Sequence, residues 1–193
     1  MVHDKDFWQI MAQGLLRSDF EWLRPLRASV SKIIVFGCWD DGDTIQGCRE
    51  PYALLRLLEG TSAVIVDKEA KYIRNAQSWF QRTRAQYPEL VGSYDLRFVV
   101  SDMTGETDEL PIDYFDLAYC SGVLHFVRSD AGQLRAAINT MARVVRPGGW
   151  VIACEDKGLD RRFQEAGLER VESLSNVPEY AYCYRRPLST RTR

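Results

Sequence analysis

The chain has 193 residues, of which 46% are hydrophobic and 27% charged, and its formal net charge is −2. These values are typical of a folded globular protein and exclude a disordered tail, a collagen and a membrane span. We therefore expect one domain over residues 1–193 and no membrane association.

The amino-terminal residues and the cysteine content indicate a cytoplasmic protein. Residues 1–6 are charged and are not followed by an apolar core with a small-residue cleavage site, so no secretory signal is predicted. The five cysteines form no Cys-x-x-Cys pair, and the chain has only two histidines. This pattern favours reduced thiols and argues against a zinc site, so we expect no metal.

Hydrophobic periodicity predicts helices in residues 1–30, with an interruption near Pro25, followed by strands that alternate with helices. The predicted helices after residue 30 are one that Pro51 opens and Gly60 ends, then 69–86, 130–145 and a short one that closes at 163–167. The predicted strands are 32–36, 62–67, 96–101, 115–120 and 150–154, with a turn at 146–149 before the fifth and a hairpin of 168–173 and 180–184 at the end.

This alternation predicts an α/β fold with a doubly wound, mostly parallel sheet and right-handed crossovers. The last two strands read as an antiparallel hairpin. We divide the domain into N-terminal helices at 1–30, a core at 31–185 and a tail at 186–193. The tail is basic, and we interpret it as a frayed end rather than a nucleic-acid arm.

Ligands of such sheets bind beyond the carboxyl ends of the strands, so the residues that follow each strand are the candidate site. Asp67 ends the second strand, where its carboxylate can accept both hydroxyls of a ribose or cap the next helix. Residues 101–103, Ser-Asp-Met, offer a carboxylate and a thioether to the amino edge and face of an adenine, or form a simple turn. Gly37 and the pair Cys120-Ser121 follow the first and fourth strands.

The order of these features resembles a class I S-adenosylmethionine-dependent methyltransferase. The resemblance rests on Gly37, Asp67, Ser101-Asp102, the run at 114–127, the Arg-Val-Val-Arg-Pro-Gly-Gly-Trp-Val-Ile run at 143–152 and the ending from Phe163. It implies a Rossmann-like seven-stranded sheet with an antiparallel seventh strand, and S-adenosyl-L-methionine as the cofactor. The cofactor-binding residues that it implies are Gly37, Cys38, Gly47, Asp67, Lys68, Ser101, Asp102, Met103, Cys120 and Ser121.

The glycine loop after the first strand departs from that family. The family has Gly-x-Gly-x-Gly there, whereas the glycines between 37 and 47 are dispersed. Gly47 has the spacing to Asp67 of about 20 residues that dinucleotide-binding folds use, so we interpret the preceding residues as an insertion. Its three aspartates, at 40, 41 and 43, could bind a metal, but we interpret them as solvated.

The acceptor of the methyl group is expected to be a small molecule. The chain has no Asn/Asp-Pro-Pro-Tyr after the fourth strand and no Pro-Cys nucleophile, which disfavours methylation of flipped nucleic-acid bases. His125 could act as a general base, but packing at a helix start is the favoured interpretation, so the catalytic residues stay unassigned. The aromatic residues of the N-terminal helices are a candidate lid: Phe7, Trp8, Phe20 and Trp22.

Two other functions remain open. The dispersed glycines are compatible with a regulatory or partner protein that binds S-adenosylmethionine without transferring its methyl group. A nicotinamide oxidoreductase ranks last, because Gly-x-Gly-x-x-Gly does not follow the first strand.

Overall fold

The fold was obtained as a computed structural model that describes residues 21–38, 54–55, 57–58, 62–86, 88, 95–105, 107–155, 158–172, 174, 177, 179 and 181–188. Seven strands in this part of the chain form one sheet in the order β3-β2-β1-β4-β5-β7-β6. The strands are β1 (Lys32–Phe36), β2 (Ser62–Asp67), β3 (Leu96–Val100), β4 (Phe115–Ser121), β5 (Val145–Cys154), β6 (Glu169–Arg170) and β7 (Ala181–Arg185).

The sheet is mostly parallel, as predicted. The β1–β2, β1–β4, β2–β3 and β4–β5 pairs are parallel, whereas β7 runs antiparallel to both β5 and β6. The strand order reverses direction between β1 and β4, which makes the carboxyl ends of these two strands the switch point where such sheets bind ligands. The predicted fold class is confirmed.

The described helices flank the sheet. They are α1 (Ala70–Gln86), α2 (Leu124–Val127), α3 (Ala131–Val144) and α4 (Asp160–Glu165), with a 3₁₀ helix at Glu21–Leu26 before β1. The Asp130 carboxylate caps α3 by accepting the Gly132 and Gln133 N–H groups at 2.8 and 3.0 Å. None of the helices among the described residues is long and apolar enough to cross a membrane.

Helices cover both faces of the sheet because the strands are apolar on both sides. One core cluster joins Ile34 and Phe36 of β1 to α3 and α4. The opposite cluster joins Ile33 and Val35 to the 3₁₀ helix and to helical residues at 54, 55 and 57. Alternate residues of β1 thus point into different layers, as expected of a strand buried on both faces. Pro51 and residues 1–20 lie outside the described residues.

The turn predicted at 146–149 is wrong, because β5 begins at Val145 and runs through this segment. Gly148 donates its N–H to Arg186 O at 2.8 Å, and Gly149 O accepts the Arg186 N–H at 3.0 Å. Gly148 has φ +77°, and the pairing register of β4 and β5 shifts between Phe115 and Leu117. A glycine pair in this sequence therefore accommodates an irregularity within a strand rather than ending it.

Asp116 connects the amino ends of β1, β4 and β5 at one end of the sheet. Its Oδ2 accepts the Ser31 N–H, the Ser31 hydroxyl and the Lys32 N–H at 2.8 to 2.9 Å, and its Oδ1 pairs with Arg146. Burial raises the pKa of the Asp116 carboxyl, but the donors of Arg146, Ser31 and Lys32 outweigh burial and hold the pKa below its usual value.

Arg186, which sequence reasoning assigns to the tail, is packed against α3. Its Nη1 donates to the carbonyl oxygens of Ala142, Arg143 and Val145 at 3.2, 3.3 and 2.6 Å, where α3 ends. It also pairs with Asp113. Part of the basic charge near residue 186 therefore stabilises the fold.

Candidate active site

A cavity of about 410 Å³ opens at the carboxyl ends of β1, β2 and β3. This volume lies within the range of small-molecule sites, and the cavity lies at the carboxyl ends of the strands, where ligands of such sheets are expected to bind. The described residues that line the cavity come from β1 and β2, from the segments that follow β1, β2, β3 and β4, and from helices α1, α2 and α3. They are Phe36, Gly37, Val66, Asp67, Lys68, Glu69, Tyr72, Ser101, Asp102, Met103, Thr104, Val123, Phe126, Val127 and Gln133.

Gly37 follows β1 directly and lines the cavity. It has φ +89°, and it donates its N–H to Val66 O at 2.8 Å, which keeps it against the end of β2. A Cβ atom at this position would overlap the Cγ2 methyl of Val123. Both the backbone conformation and the neighbouring methyl group therefore require glycine here.

Asp67 joins the ends of β1 and β2. Its Oδ2 accepts the Cys38 N–H and its Oδ1 accepts the Glu69 N–H, both at 2.9 Å. The second contact places Asp67 in the turn that leads into α1, which begins at Ala70. Both predicted roles of Asp67, the ribose contact and the helix cap, stay predictions. Each carboxylate oxygen has two acceptor positions, so the side chain keeps capacity for further donors on its cavity side.

Asp102 forms the turn after β3. Its Oδ1 accepts the N–H and the hydroxyl of Thr104 at 2.8 and 2.7 Å. Partial burial raises the pKa of the Asp102 carboxyl, but these two bonds and the charge of Lys68 outweigh it, so the pKa lies below its usual value. Ser101 and Met103 on either side are buried and also line the cavity.

The structure brings most, but not all, of the predicted site residues to this cavity. Gly37, Asp67, Lys68, Ser101, Asp102 and Met103 line it. Cys38 donates its N–H to Asp67 but is not among the described lining residues. Cys120 is fully buried in the core cluster that contains α3, and neither Cys120 nor Ser121 is among the described lining residues. Gly47 and the aspartates at 40, 41 and 43 lie outside the described residues.

His125 is exposed, and its ring meets that of Phe126 edge to face at 5.8 Å between centroids. It is not among the described lining residues, whereas Phe126, which is 77% exposed, is one of them. In the part of the chain that the structure describes, no cluster of three His, Cys, Asp or Glu side chains could hold a metal ion.

Sequence reasoning missed Glu155, which follows β5 and whose two carboxylate oxygens accept backbone N–H groups of α2. It also missed Tyr72, Phe126 and Gln133 in the cavity wall. Glu155 had a signal, because the rule that points to residues after each strand applies to the fifth strand as well. The three helical residues had none beyond ordinary helical periodicity.

Comparison with known proteins identifies the family. The methyltransferase domain family matches residues 47–153, which is more than half of the chain. The chain therefore belongs to the methyltransferase domain family. No curated protein sequence matches the chain.

Solved structures show the same fold at low sequence identity. An O-methyltransferase family protein from Burkholderia thailandensis is 15% identical with a TM-score of 0.62, over 97% of this chain and 61% of that one. A TehB-like SAM-dependent methyltransferase from Corynebacterium glutamicum is 16% identical with a TM-score of 0.60, over 95% and 98%. The cyclase SpnF is 17% identical with a TM-score of 0.51, over 78% and 57%. The chain thus spans about three fifths of the length of the Burkholderia protein and of SpnF. SpnF is named as a cyclase and not as a methyltransferase.

The cavity fits the cofactor that the family implies. Among the described lining residues, Asp67, Glu69 and Asp102 are acidic and only Lys68 is basic, which favours a ligand with a cationic centre. The close approach of backbone at Gly37 and the carboxylate at the end of β2 suit a nucleoside with a ribose. Asp67, Asp102 and Met103 would hold it.

Proposed function

We propose that this protein binds S-adenosyl-L-methionine in the cavity and transfers its methyl group to a small-molecule acceptor. The observation that supports the proposal most is Asp67, a carboxylate at the end of β2 that lines the same cavity as Gly37 and Asp102. A cytoplasmic location belongs to the proposal too, and the four described cysteines, all of them thiols, support it.

When bound, the cofactor would supply an electrophilic methyl group on a sulfonium, whose carbon an acceptor attacks in line while the C–S bond breaks and a neutral thioether leaves. For such a displacement the chain's own residues mainly orient the two reactants and exclude water. Asp67 would accept the ribose hydroxyls, and the Asp102 turn with Met103 would hold the adenine. The exposed ring of Phe126 stands at the cavity, where it can restrict water.

We expect S-adenosylhomocysteine to raise the melting temperature. At 100 times its dissociation constant a ligand adds about 2.7 kcal/mol, which corresponds to a rise of about 5–11 °C for a protein of this size. Calorimetry with NAD at the same concentration is the control, and a shift with NAD alone would contradict the proposal.

A donor with an isotopically labelled methyl group, added to metabolite extracts and followed by mass spectrometry, then tests transfer. Binding without a labelled product would favour the regulatory or partner protein.

We expect Asp67→Ala to weaken S-adenosylhomocysteine binding by about 1–3 kcal/mol, since the ribose hydroxyls lose a charged acceptor. The substitution also removes the acceptor of the Cys38 and Glu69 N–H groups, so affinity alone does not isolate the ribose contact. Calorimetry with the 2′,3′-dideoxy analogue separates the two effects. The wild-type protein should prefer the parent ligand, and Asp67→Ala should bind both ligands equally. A preference that survives the substitution would limit Asp67 to its structural role.

A further inference from the structure

Glu155 is a buried carboxyl group that has no part in the proposed function, and it is bonded to the backbone of a segment that lines the cavity. It is 5% exposed and follows directly after β5. Its Oε1 accepts the Leu124 N–H at 2.9 Å, and its Oε2 accepts the His125 N–H at 3.2 Å. Burial raises the pKa of Glu155 despite these donors. Burying such a group is costly unless its oxygens accept hydrogen bonds, and both oxygens of Glu155 do.

The backbone that Glu155 holds forms part of the cavity wall. Residues 122–127 connect β4 to the end of α2, and Gly122 donates its N–H to Cys154 O at 3.0 Å. Val123, Phe126 and Val127 of this segment line the cavity. The Cγ2 methyl of Val123 occupies the space that a Cβ on Gly37 would need, so this segment and the end of β1 are in close contact.

The segment depends on such contacts for its orientation. Helix α2 has only four residues and no side chain of its own capping its start, and helices this short are not stable by themselves. Leu124 is buried in the core, and Val123 and Val127 are partly buried against the same cluster. These apolar contacts hold the segment against the sheet but are not directional, whereas the hydrogen bonds from the Leu124 and His125 N–H groups to the two oxygens of one carboxyl are. They restrict the rotation of the segment, and with it the positions of Val123 and Phe126.

We propose that Glu155 is a positioning residue for the cofactor: by holding the Leu124 and His125 N–H groups, it sets the wall of the cavity that faces Gly37. The proposal rests on the proposed function, because it takes the cavity as the S-adenosylmethionine site. Glu155 acts through Val123 and its neighbours and need not touch the ligand.

Glu155→Gln tests the proposal with isothermal titration of S-adenosylhomocysteine. The amide has the same shape but only one acceptor oxygen, so its NH₂ group faces one of the two backbone N–H groups. We expect the dissociation constant to rise at least fivefold and amide hydrogen exchange at residues 123–127 to accelerate. Asp116→Asn is the matched control, since it alters a buried carboxylate at the opposite end of the same strands. It should lower the melting temperature without changing the dissociation constant.

A double-mutant cycle with Val123→Ala tests the route of the effect. If Glu155 acts through Val123, Glu155→Gln should weaken binding less in the Val123→Ala background than in the wild type. Should Glu155→Gln fail to fold, Val123→Ala alone decides, because the proposal requires it to weaken binding.

The outcomes separate this inference from the proposed function. Wild-type protein that does not bind S-adenosylhomocysteine overturns the proposed function and the inference with it. Wild-type binding with an unchanged dissociation constant in Glu155→Gln overturns only the role of Glu155. An equal loss of affinity in Asp116→Asn also overturns it, since the effect would then follow from general destabilisation.

Discussion

Gly37→Ala is expected to destabilise the protein by about 2–4 kcal/mol, the sum of an unfavourable positive φ and an overpacked contact. At about 2–4 °C per kcal/mol, the melting temperature should fall by about 4–16 °C. The physical cause is the pair of restraints on this residue, its φ of +89° and the Val123 methyl group beside it. Thermal and denaturant unfolding of the ligand-free protein measure the effect.

Two further variants divide this loss into its parts. In Val123→Ala the neighbouring methyl is gone, so adding Gly37→Ala should cost only the backbone strain, about 1–2 kcal/mol. Gly167→Ala is the control for strain alone, because Gly167 has φ +78° and no atom within 4 Å of its potential Cβ. If Gly167→Ala were as destabilising as Gly37→Ala, the contact with Val123 would have no energetic weight.

Asp116→Ala is expected to destabilise the protein by about 3 kcal/mol, because it leaves the Ser31 and Lys32 N–H groups and the Arg146 guanidinium without their shared acceptor. The corresponding fall in melting temperature is about 6–12 °C. Glu165→Ala is the control, since Glu165 also pairs with two arginines, Arg161 and Arg162, but on the surface of α4. Its melting temperature should be nearly unchanged.

The Asp116 contribution should also depend on pH. The pKa of its carboxyl in the folded state lies below the usual value, so its stabilisation is present above the unfolded pKa of about 3.9 and is lost as the pH falls through the folded value. The difference in melting temperature between wild type and Asp116→Ala should therefore shrink below about pH 4. A difference that stays constant down to pH 2 would show that ionisation of Asp116 does not stabilise the fold.

The sheet was predictable from sequence because its strands are buried on both faces. The runs at 32–36 and 62–67 are apolar and bounded by polar loops, and the structure has strands over the same residues. The start of β5 was not predictable, since Gly148 and Gly149 are typical turn residues. Their place in a strand depends on Arg186, which pairs with them from a distant part of the sequence.

The site was predictable to the extent that the topology determines it. Residues at or just after the carboxyl ends of parallel strands, such as Asp67 and Asp102, lie at the same end of the sheet, and both line the cavity. The sequence predicts that Cys120 ends the fourth strand, but β4 runs on to Ser121 and the Cys120 side chain lies in the core cluster that contains α3. Successive side chains of a strand point to opposite faces of the sheet. The direction of the last one therefore depends on where the strand ends, and a sequence pattern locates that end only to within a residue or two. Contacts across the site, such as Glu155 with α2, require the folded structure.

The position of β7 has a consequence for synthesis on the ribosome. Although β6 precedes it along the chain, β7 lies between β5 and β6 in the sheet. Until residues 181–185 leave the exit tunnel, β6 has no strand to pair with and β5 presents an open edge, a known template for aggregation. The nascent chain can assemble β1 to β5 early, but its sheet closes only after translation has passed Arg185. A fragment that ends before Ala181 would keep the candidate site residues and lose the strand that protects the edge of β5.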